Sequence, residues 1–188
     1  MNKKRCGWVS DDLLYIQYHD EEWGVAVYDD AKLFEFLILE TFQAGLSWIT
    51  VLRKRENFRK AFDHFDVIKV AAFDDAKVSS LMQDAGIIRN GAKIRAAVSN
   101  AQAFIQVQQE FGFFKDYIWS FVDGKPIQNA WASLKDVPAK TELAERISKD
   151  LKKRGFKFVG PTVIYAHMQA TGMVNDHTLD CFRHKEVQ

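Results

Sequence analysis

CGWVSDDLLYIQYH (residues 6–19) and HTLDC (residues 177–181) stand near opposite ends of the chain and carry matching pairs of residues. The first pair is Cys6 and His19, and the second is His177 and Cys181. The second pair is spaced i, i+4, which puts both side chains on one face of a helical turn. Two thiolates and two imidazoles are a ligand set of closed, tetrahedral structural zinc sites. The sequence therefore predicts a fold that joins its two ends around one zinc ion.

Two other interpretations of the cysteines stay open at this point. Cys6 and Cys181 are either buried residues that happen to neighbour histidines, or partners in a disulfide. Disulfides are typical of secreted proteins, whereas the first residues, MNKKRCGWVSDD, have no apolar segment behind their basic residues and do not predict a signal peptide. We therefore expect reduced cysteines and a cytoplasmic protein.

Composition indicates an ordinary globular chain of mostly helical structure. The chain has 188 residues, 47% of them hydrophobic and 27% charged, as in soluble globular proteins. No stretch approaches the ~20 apolar residues of a membrane span, so no membrane partner is expected. Only three prolines and ten glycines interrupt long segments of helical periodicity. We predict an all-α fold, a single domain over residues 1–188 and a monomer.

Aromatic side chains are concentrated near the N-terminus, beside acidic residues. Trp8, Tyr15, Tyr18 and Trp23 all fall within residues 6–28. A helix capped by Asp11 or Asp12 would make Tyr15, Tyr18 and His19 neighbours on one face. These rings are typical both of a hydrophobic core and of a binding pocket, and the sequence favours neither.

Glu40 ends a segment, AKLFEFLILE (residues 31–40), that is apolar nearly all round and is predicted to be a buried helix. A carboxylate is unfavourable at a helix C-terminus, and its burial costs free energy unless it finds partners. Glu40 is therefore either a solvated residue of the last turn or a buried acid facing a pocket. Buried acids of the second kind are functional candidates.

A glycine turn follows this helix and precedes another. Gly45 marks the turn, Leu46 comes next, and Trp48 opens an amphipathic helix whose basic run, residues 53–55, is expected to face solvent. Leu46 is either a small hydrophobic staple or a protruding wedge.

The chain between residues 141 and 172 predicts a helix, a short hairpin and a second helix. The hairpin GFKFVG (residues 155–160) is bounded by glycines, follows a Lys-Lys-Arg run and precedes Pro161, which suits the first position of a helix. Backbone N–H groups at such a helix start bind phosphate. A plain αα-hairpin is the alternative, and the loop at residues 86–91 is a weaker phosphate-binding candidate because it lacks the basic cluster.

The chain resembles the bacterial 3-methyladenine DNA glycosylase I family, the constitutive Tag type, over roughly residues 5–181. The motifs that carry the resemblance are Arg5-Cys6-Gly7-Trp8, Tyr15-x2-Tyr18-His19-Asp20, Glu22-Trp23-Gly24, Gln43-Ala44-Gly45-Leu46-Ser47-Trp48, Arg154-Gly155-Phe156-Lys157-Phe158-Val159-Gly160 and Asn175-Asp176-His177. The resemblance implies a helix-hairpin-helix glycosylase fold, one structural zinc ion, double-stranded DNA with alkylated adenine as substrate and free 3-methyladenine as product. The activity implied is monofunctional hydrolysis of the N-glycosidic bond after base flipping, in base excision repair.

The resemblance also assigns site residues. It implies the zinc ligands Cys6, His19, His177 and Cys181, and it makes Glu40 the acid that contacts the base. It implies stacking of the base on Trp48 and Tyr18, with Tyr15, Trp8 and Trp23 nearby. It implies DNA contacts through Gly45 and Leu46, and through Gly155, Lys157 and Gly160 of the hairpin.

Two departures from the wider superfamily limit what is expected. The position of the usual catalytic Asp reads Asn175-Asp176-His177 here and is occupied by a metal ligand, so Asp176 is not assigned as the catalytic acid. It stays a candidate partner for the ligand histidine. Pro161-Thr162 stands where lyases carry a Schiff-base lysine, so no lyase activity is expected. A non-enzymatic DNA-binding module stays the alternative, whereas a zinc hydrolase is disfavoured because four protein ligands leave no open coordination position.

Overall fold

A computed structural model describes residues 3–188 of the chain, and helices dominate it. The helices are α1 Leu13–Glu21, α2 Asp30–Gln43, α3 Trp48–Ala61, α4 Val67–Ala71, α5 Asp75–Gln83, α6 Gly91–Phe111, α7 Phe114–Ser120, α8 Glu142–Lys153, α9 Pro161–Ala170 and α10 Arg183–Glu186. Two strands of two residues each, β1 Ile127–Gln128 and β2 Val174–Asn175, pair in parallel. The all-α prediction is confirmed, with this short strand pair as an addition. Within the described residues, no helix combines the length and the apolar character that a membrane span requires.

Helix α2 is the central element. It has nine buried side chains and packs against α3, α6, α7 and α9, as expected of a helix that is apolar on every side. Asp29 caps the N-terminus of this helix, and its carboxylate accepts a hydrogen bond from the Lys32 N–H at 2.8 Å. The predicted burial of this segment is confirmed, and Glu40 is buried with it.

The two ends of the chain lie together. The Phe182 N–H donates to the Lys4 carbonyl oxygen at 2.9 Å, and the Val27 N–H donates to that of Thr171 at 3.0 Å. Gly172 has φ +71°, and a Cβ atom there would lie 2.5 Å from the Ala26 nitrogen. Only glycine permits such a close approach of two backbones. The N-terminal segment is thus held against the C-terminal one by backbone contacts as well as by the Cys/His pairs.

The basic run at the exposed side of α3 is only partly exposed. Arg53 and Lys54 face outward, but Arg55 is buried. Its Nη1 donates to both carboxylate oxygens of Glu22 at 2.9 Å, and its Nε donates to Glu35 at 2.5 Å. The prediction of a wholly solvated run is therefore wrong, because α3 packs on the elements that supply these two carboxylates.

Helices α8 and α9 form the predicted pair with a glycine-bounded connection. Thr141 caps α8, Gly155 ends it with φ +94°, and Pro161 occupies the first turn of α9. Asn100 of α6 is fully buried and holds the connection at Lys157. Its Nδ2 donates to the Lys157 carbonyl oxygen at 3.1 Å, and its Oδ1 accepts from the Lys157 N–H at 2.7 Å. The Asn100 side chain thus holds the hairpin in place by binding both backbone polar groups of Lys157.

Replacing Asn100 by Asp is expected to destabilise the protein by about 1–3 kcal/mol. The carboxylate keeps the bond from the Lys157 N–H but sets a negative oxygen against the Lys157 carbonyl oxygen. Urea denaturation measures the free energy of unfolding. Gln102→Glu is the matched control, because it makes the same chemical change at an exposed amide of the same helix. An equal change in the free energy of unfolding for the two substitutions would contradict the role of Asn100 in holding the hairpin.

Candidate active site and metal-binding cluster

The two Cys/His pairs converge on one buried point. The ligand atoms of Cys6, His19, His177 and Cys181 all lie within 4.8 Å of one another, and all four residues are buried. Sulfur-to-nitrogen distances are 3.4 Å from Cys181 to His19 and 3.5 Å from His177 to each cysteine. Both cysteines are free, which excludes the disulfide alternative. The predicted meeting of the chain ends at this set of ligands is confirmed, and the cluster can hold a metal ion.

Neighbouring acceptors fix which nitrogen each histidine offers. His19 Nδ1 donates to Asp20 at 2.8 Å, and Asp20 is paired in turn with Arg5. His177 Nε2 donates to the Trp23 carbonyl oxygen at 3.0 Å. These bonds leave His19 Nε2 and His177 Nδ1 facing the cysteines, as the partners of ligand histidines usually do. A hydrogen bond from the Cys6 thiol lowers the pKa of Cys181, which favours the thiolate form that binds metals.

A cavity of about 200 Å³ lies next to this cluster. Its lining includes Glu40 and all five aromatic residues proposed for the base pocket, Trp8, Tyr15, Tyr18, Trp23 and Trp48. The volume is below the ~300–1,000 Å³ of sites for drug-sized ligands, which suits a molecule as small as one base. The structure thus brings these six predicted residues together around one space and favours the pocket interpretation of the aromatics.

The aromatic wall contacts the metal-binding cluster directly. The Trp23 ring lies 4.6 Å from the His177 ring, and the Trp8 ring lies 5.2 Å from the His19 ring, centre to centre. Trp8 and Trp23 also contact each other at 5.1 Å. Order in the cluster therefore imposes order on this side of the cavity.

Glu40 is one of two acids that line the cavity. Only 3% of its surface is exposed, and no ion pair to it exists within residues 3–188. Burial raises the pKa of Glu40 to about 8. Of the two sequence-based alternatives, the buried acid is therefore the observed one. The tyrosine hydroxyls respond to the same environment, since burial and the Glu40 carboxylate both raise the pKa of Tyr18.

The turn at Gly45 and Leu46 lies in the chain between two residues that line the cavity, Gln43 and Trp48, and is firmly held. The Leu46 N–H donates to the Gln43 carbonyl oxygen at 2.7 Å, and Gln43 Nε2 donates to that of Leu46 at 2.9 Å. Lys93 Nζ donates to two carbonyl oxygens at the end of α2, at 2.8 and 3.0 Å. Leu46 itself is 40% exposed. A hydrophobic staple would be covered, so the structure favours a protruding side chain on a fixed turn.

The hairpin residues differ in what they offer to an anion. The N–H of Gly155 is bonded to the Lys152 carbonyl oxygen, and that of Lys157 is bonded to Asn100. The Gly160 N–H has no acceptor within residues 3–188, and Gly160 stands directly before the first turn of α9. The Lys157 side chain is exposed. Of the predicted residues, Gly160 therefore offers a backbone donor and Lys157 a side-chain charge.

Asp176 is a cavity residue whose role the sequence did not predict. One carboxylate oxygen accepts hydrogen bonds from Asn129 Nδ2 at 2.7 Å and Trp131 Nε1 at 2.8 Å. The other accepts from the Tyr165 hydroxyl at 2.6 Å and from Gln169 Nε2 at 2.8 Å. The expectation that Asp176 supports a ligand histidine is wrong, because all four acceptor positions of its carboxylate are filled by other donors.

Other lining residues carried no sequence signal of their own. They are Gln43, Leu134, Val137, Ala166, Gln169 and Thr178. Single glutamines and small residues occur throughout any chain, so only the folded structure distinguishes these positions.

Replacing Glu40 by Gln is expected to stabilise the protein at alkaline pH. Burial raises the pKa of Glu40 from its ordinary 4.5 to about 8, so between these values the folded state binds more protons than the unfolded state. Stability of the native protein therefore falls as pH rises from about 4.5 to about 8. The melting temperature of Glu40→Gln should exceed that of the native protein at pH 8.5 by at least about 2 °C, and the gap should shrink towards pH 5. Exposed Glu56→Gln is the control, and a Glu40→Gln gap independent of pH would contradict the buried acid.

Comparison with known proteins identifies relatives along nearly the whole chain. The model of the family described as methyladenine glycosylase matches residues 8–184. DNA-3-methyladenine glycosylase 1 of Escherichia coli (strain K12) is 54% identical over 178 residues, which cover 95% of this chain and 95% of that protein.

Solved structures agree with this assignment. A crystal structure of 3-methyladenine DNA glycosylase I (TAG) is 54% identical, with a TM-score of 0.93 and coverage of 95% of this chain and 98% of that chain. The 3-methyladenine DNA glycosylase I from Staphylococcus aureus, solved to explain its recognition of 3-methyladenine, is 36% identical with a TM-score of 0.92 and 95% coverage of both chains. The chain therefore belongs to the methyladenine glycosylase family.

Proposed function

We propose that this protein is a monofunctional DNA glycosylase that removes 3-methyladenine from alkylated double-stranded DNA and acts in base excision repair. The observation that carries the proposal is a buried acid, Glu40, in a cavity the size of one base and walled by aromatic rings. A DNA-binding module has no use for such a cavity. Relatives named for this activity support the proposal.

The substrate base would enter the cavity by base flipping. Enzymes that act on a base in duplex DNA rotate the nucleotide out of the helix into a pocket. N3-methylation makes adenine cationic, and a cation is attracted to aromatic faces. Trp48 and Tyr18, whose ring centres are 5.5 Å apart, are the rings proposed to contact it.

Glu40 would favour the damaged base over normal adenine. Arrival of a cation next to a buried carboxyl group favours its charged form, which then accepts hydrogen bonds from the purine edge. Neutral adenine supplies no such charge. The free energy of binding thereby depends on the positive charge that distinguishes the methylated base from adenine.

The bond to be broken is already weak because its leaving group is cationic. The N9–C1′ bond breaks, its electron pair leaves with the purine, and the base departs as neutral 3-methyladenine. A water molecule forms the new bond to C1′ and releases a proton to solvent. This chain needs little acid catalysis, and Pro161-Thr162 offers no amine for a lyase step.

Two surfaces would contact the DNA. Leu46, exposed on its fixed turn, is suited to fill the space that the flipped base leaves in the stack. The α8–α9 connection is proposed as a helix-hairpin-helix motif that binds phosphate through the Gly160 N–H and the Lys157 side chain, as helix N-termini do. Gly155 would shape the hairpin rather than donate to phosphate.

We propose zinc as the ion of the Cys/His cluster. Zinc–sulfur bonds of about 2.3 Å and zinc–nitrogen bonds of about 2.0–2.1 Å place tetrahedral sulfur and nitrogen ligands about 3.6 Å apart. The observed distances of 3.4–3.5 Å are close to this value. With four protein ligands the ion would be structural, holding the chain ends and the aromatic wall in place.

Incubation of the purified protein with methylated duplex DNA is expected to release 3-methyladenine and to leave 7-methylguanine in place. Chromatography of the free bases measures this. Glu40→Gln is expected to slow release by roughly a hundredfold, because it removes the charge that faces the cation. The exposed substitution Glu56→Gln serves as its control. No released base from folded protein that binds DNA would overturn the enzyme assignment and favour the binding module.

Removing the metal is expected to loosen the fold rather than to abolish a chemical step. Chelation should lower the melting temperature by more than about 10 °C, and added Zn²⁺ should restore it. Circular dichroism gives the melting temperature, and the rate of base release is normalised to the folded fraction. Loss of activity at an unchanged melting temperature would show that the ion takes part in the chemistry.

A further inference from the structure

A second cavity of about 480 Å³ adjoins the first. It is bounded by the Gly45 turn, by Pro138 and Ala139, and by the first turn of α9. Gln43, Ala166 and Gln169 line both cavities and thus mark their boundary. This inference rests on the proposed function: with the base in the first cavity, the second lies beside the proposed phosphate-binding hairpin and receives the sugar. The N-glycosidic bond then lies at the boundary.

Gln169 presents a defined atom at that boundary. Its Nε2 donates to an Asp176 carboxylate oxygen at 2.8 Å. A carboxylate only accepts hydrogen bonds, so Nε2 of the Gln169 amide must face Asp176. The amide oxygen, Oε1, must then point away from Asp176. Among residues 3–188, no donor bonds to that oxygen. The side-chain oxygen of Gln169, Oε1, is therefore a fixed acceptor without a donor among these residues.

The Asp176 carboxylate is buried and has no cationic partner within residues 3–188. Only 2% of its surface is exposed, and no Lys, Arg or His nitrogen lies within 4.0 Å of it in the described chain. Four neutral donors occupy its carboxylate oxygens. Hydrogen bonds in such networks polarise one another. The bond from Gln169 therefore increases the negative partial charge on the Gln169 oxygen.

We propose that Gln169 is a catalytic residue and that Asp176 positions and polarises it. The Gln169 oxygen accepts a hydrogen bond from the attacking water and stabilises the positive charge that develops on the sugar. The N9–C1′ electron pair leaves with the base, the water oxygen bonds to C1′, and its proton passes to solvent. Gln169 takes no proton, so the pair acts by orientation and electrostatics alone.

Gln169→Leu is the first test, because leucine fills similar space without the amide. Single-turnover release of 3-methyladenine from duplex DNA should slow by roughly ten- to a hundredfold. Affinity for free 3-methyladenine, measured by tryptophan fluorescence, should change less than about twofold, since the contacts proposed to hold the base are those of Glu40, Trp48 and Tyr18. Gln169→Met should behave alike and replaces the leucine variant if that one does not fold. Exposed Gln102→Leu is the matched control.

Asp176→Asn tests the pairing. An amide at residue 176 no longer fixes which end of Gln169 faces it, so release should slow to a similar degree with little change in free-base affinity. The double variant Gln169→Leu with Asp176→Asn should be no slower than Gln169→Leu alone, because the two residues act as a unit. Metal content is measured in parallel, since Asp176 precedes the ligand His177, and it should be unchanged.

The outcomes separate this inference from the proposed function. If the wild-type protein releases 3-methyladenine and Gln169→Leu releases it at the same rate, the role of Gln169 is overturned. Multiplying effects in the double variant, or loss of metal from Asp176→Asn, would overturn the role of Asp176. No release of base by the wild-type protein would instead overturn the glycosylase assignment itself.

Discussion

The meeting of the two chain ends is the constraint on which the cavity depends. Residues before α2 supply most of its aromatic wall, and residues after α8 supply Gln169, Asp176 and Thr178. Helix α2 contributes Glu40, and helix α3 contributes Trp48. The residues before α2 and those after α8 lie at opposite ends of the sequence, so the space exists only while the termini are joined. The Cys/His cluster and the backbone contacts of Gly172 serve that single purpose.

The cavity contains two carboxyl groups in contrasting environments, and the contrast suggests different roles. The Asp176 carboxylate accepts hydrogen bonds from four donors. The Glu40 carboxyl group makes no hydrogen bond within residues 3–188, and burial raises its pKa to about 8. This carboxyl group is therefore free to respond to an arriving cation, whereas the Asp176 carboxylate is already occupied by its four donors. A buried acid without partners lowers the stability of the empty protein, and α2, packed on all sides, absorbs that cost.

Local patterns predicted the elements better than the contacts between them. The spacing of Cys6, His19, His177 and Cys181 limited the metal-binding cluster to one set of residues, and the apolar segment at residues 31–40 could only be a buried helix. Arg55 was misjudged because its partners, Glu22 and Glu35, lie 33 and 20 positions away. Glu40 stayed ambiguous because its burial depends on what packs at the end of α2. The donors to Asp176 come from two separate segments, residues 129–131 and helix α9, and no periodicity reveals that they meet. A two-residue strand is too short to show alternation.

The distribution of charge in the site matches the path of charge in the proposed reaction. Positive charge begins on the methylated purine and moves towards the sugar as the N9–C1′ bond breaks. A single carboxylate beside the base would stabilise the bound cation and the transition state alike, which favours binding more than rate. Rate enhancement requires stabilisation that increases as the charge moves. A polarised oxygen on Gln169, at the boundary between the two cavities, supplies this on the sugar side, while Glu40 selects the lesion on the base side. The absence of a cationic side chain beside either carboxyl group, within the described residues, is then a requirement of the chemistry, because such a charge would oppose both steps.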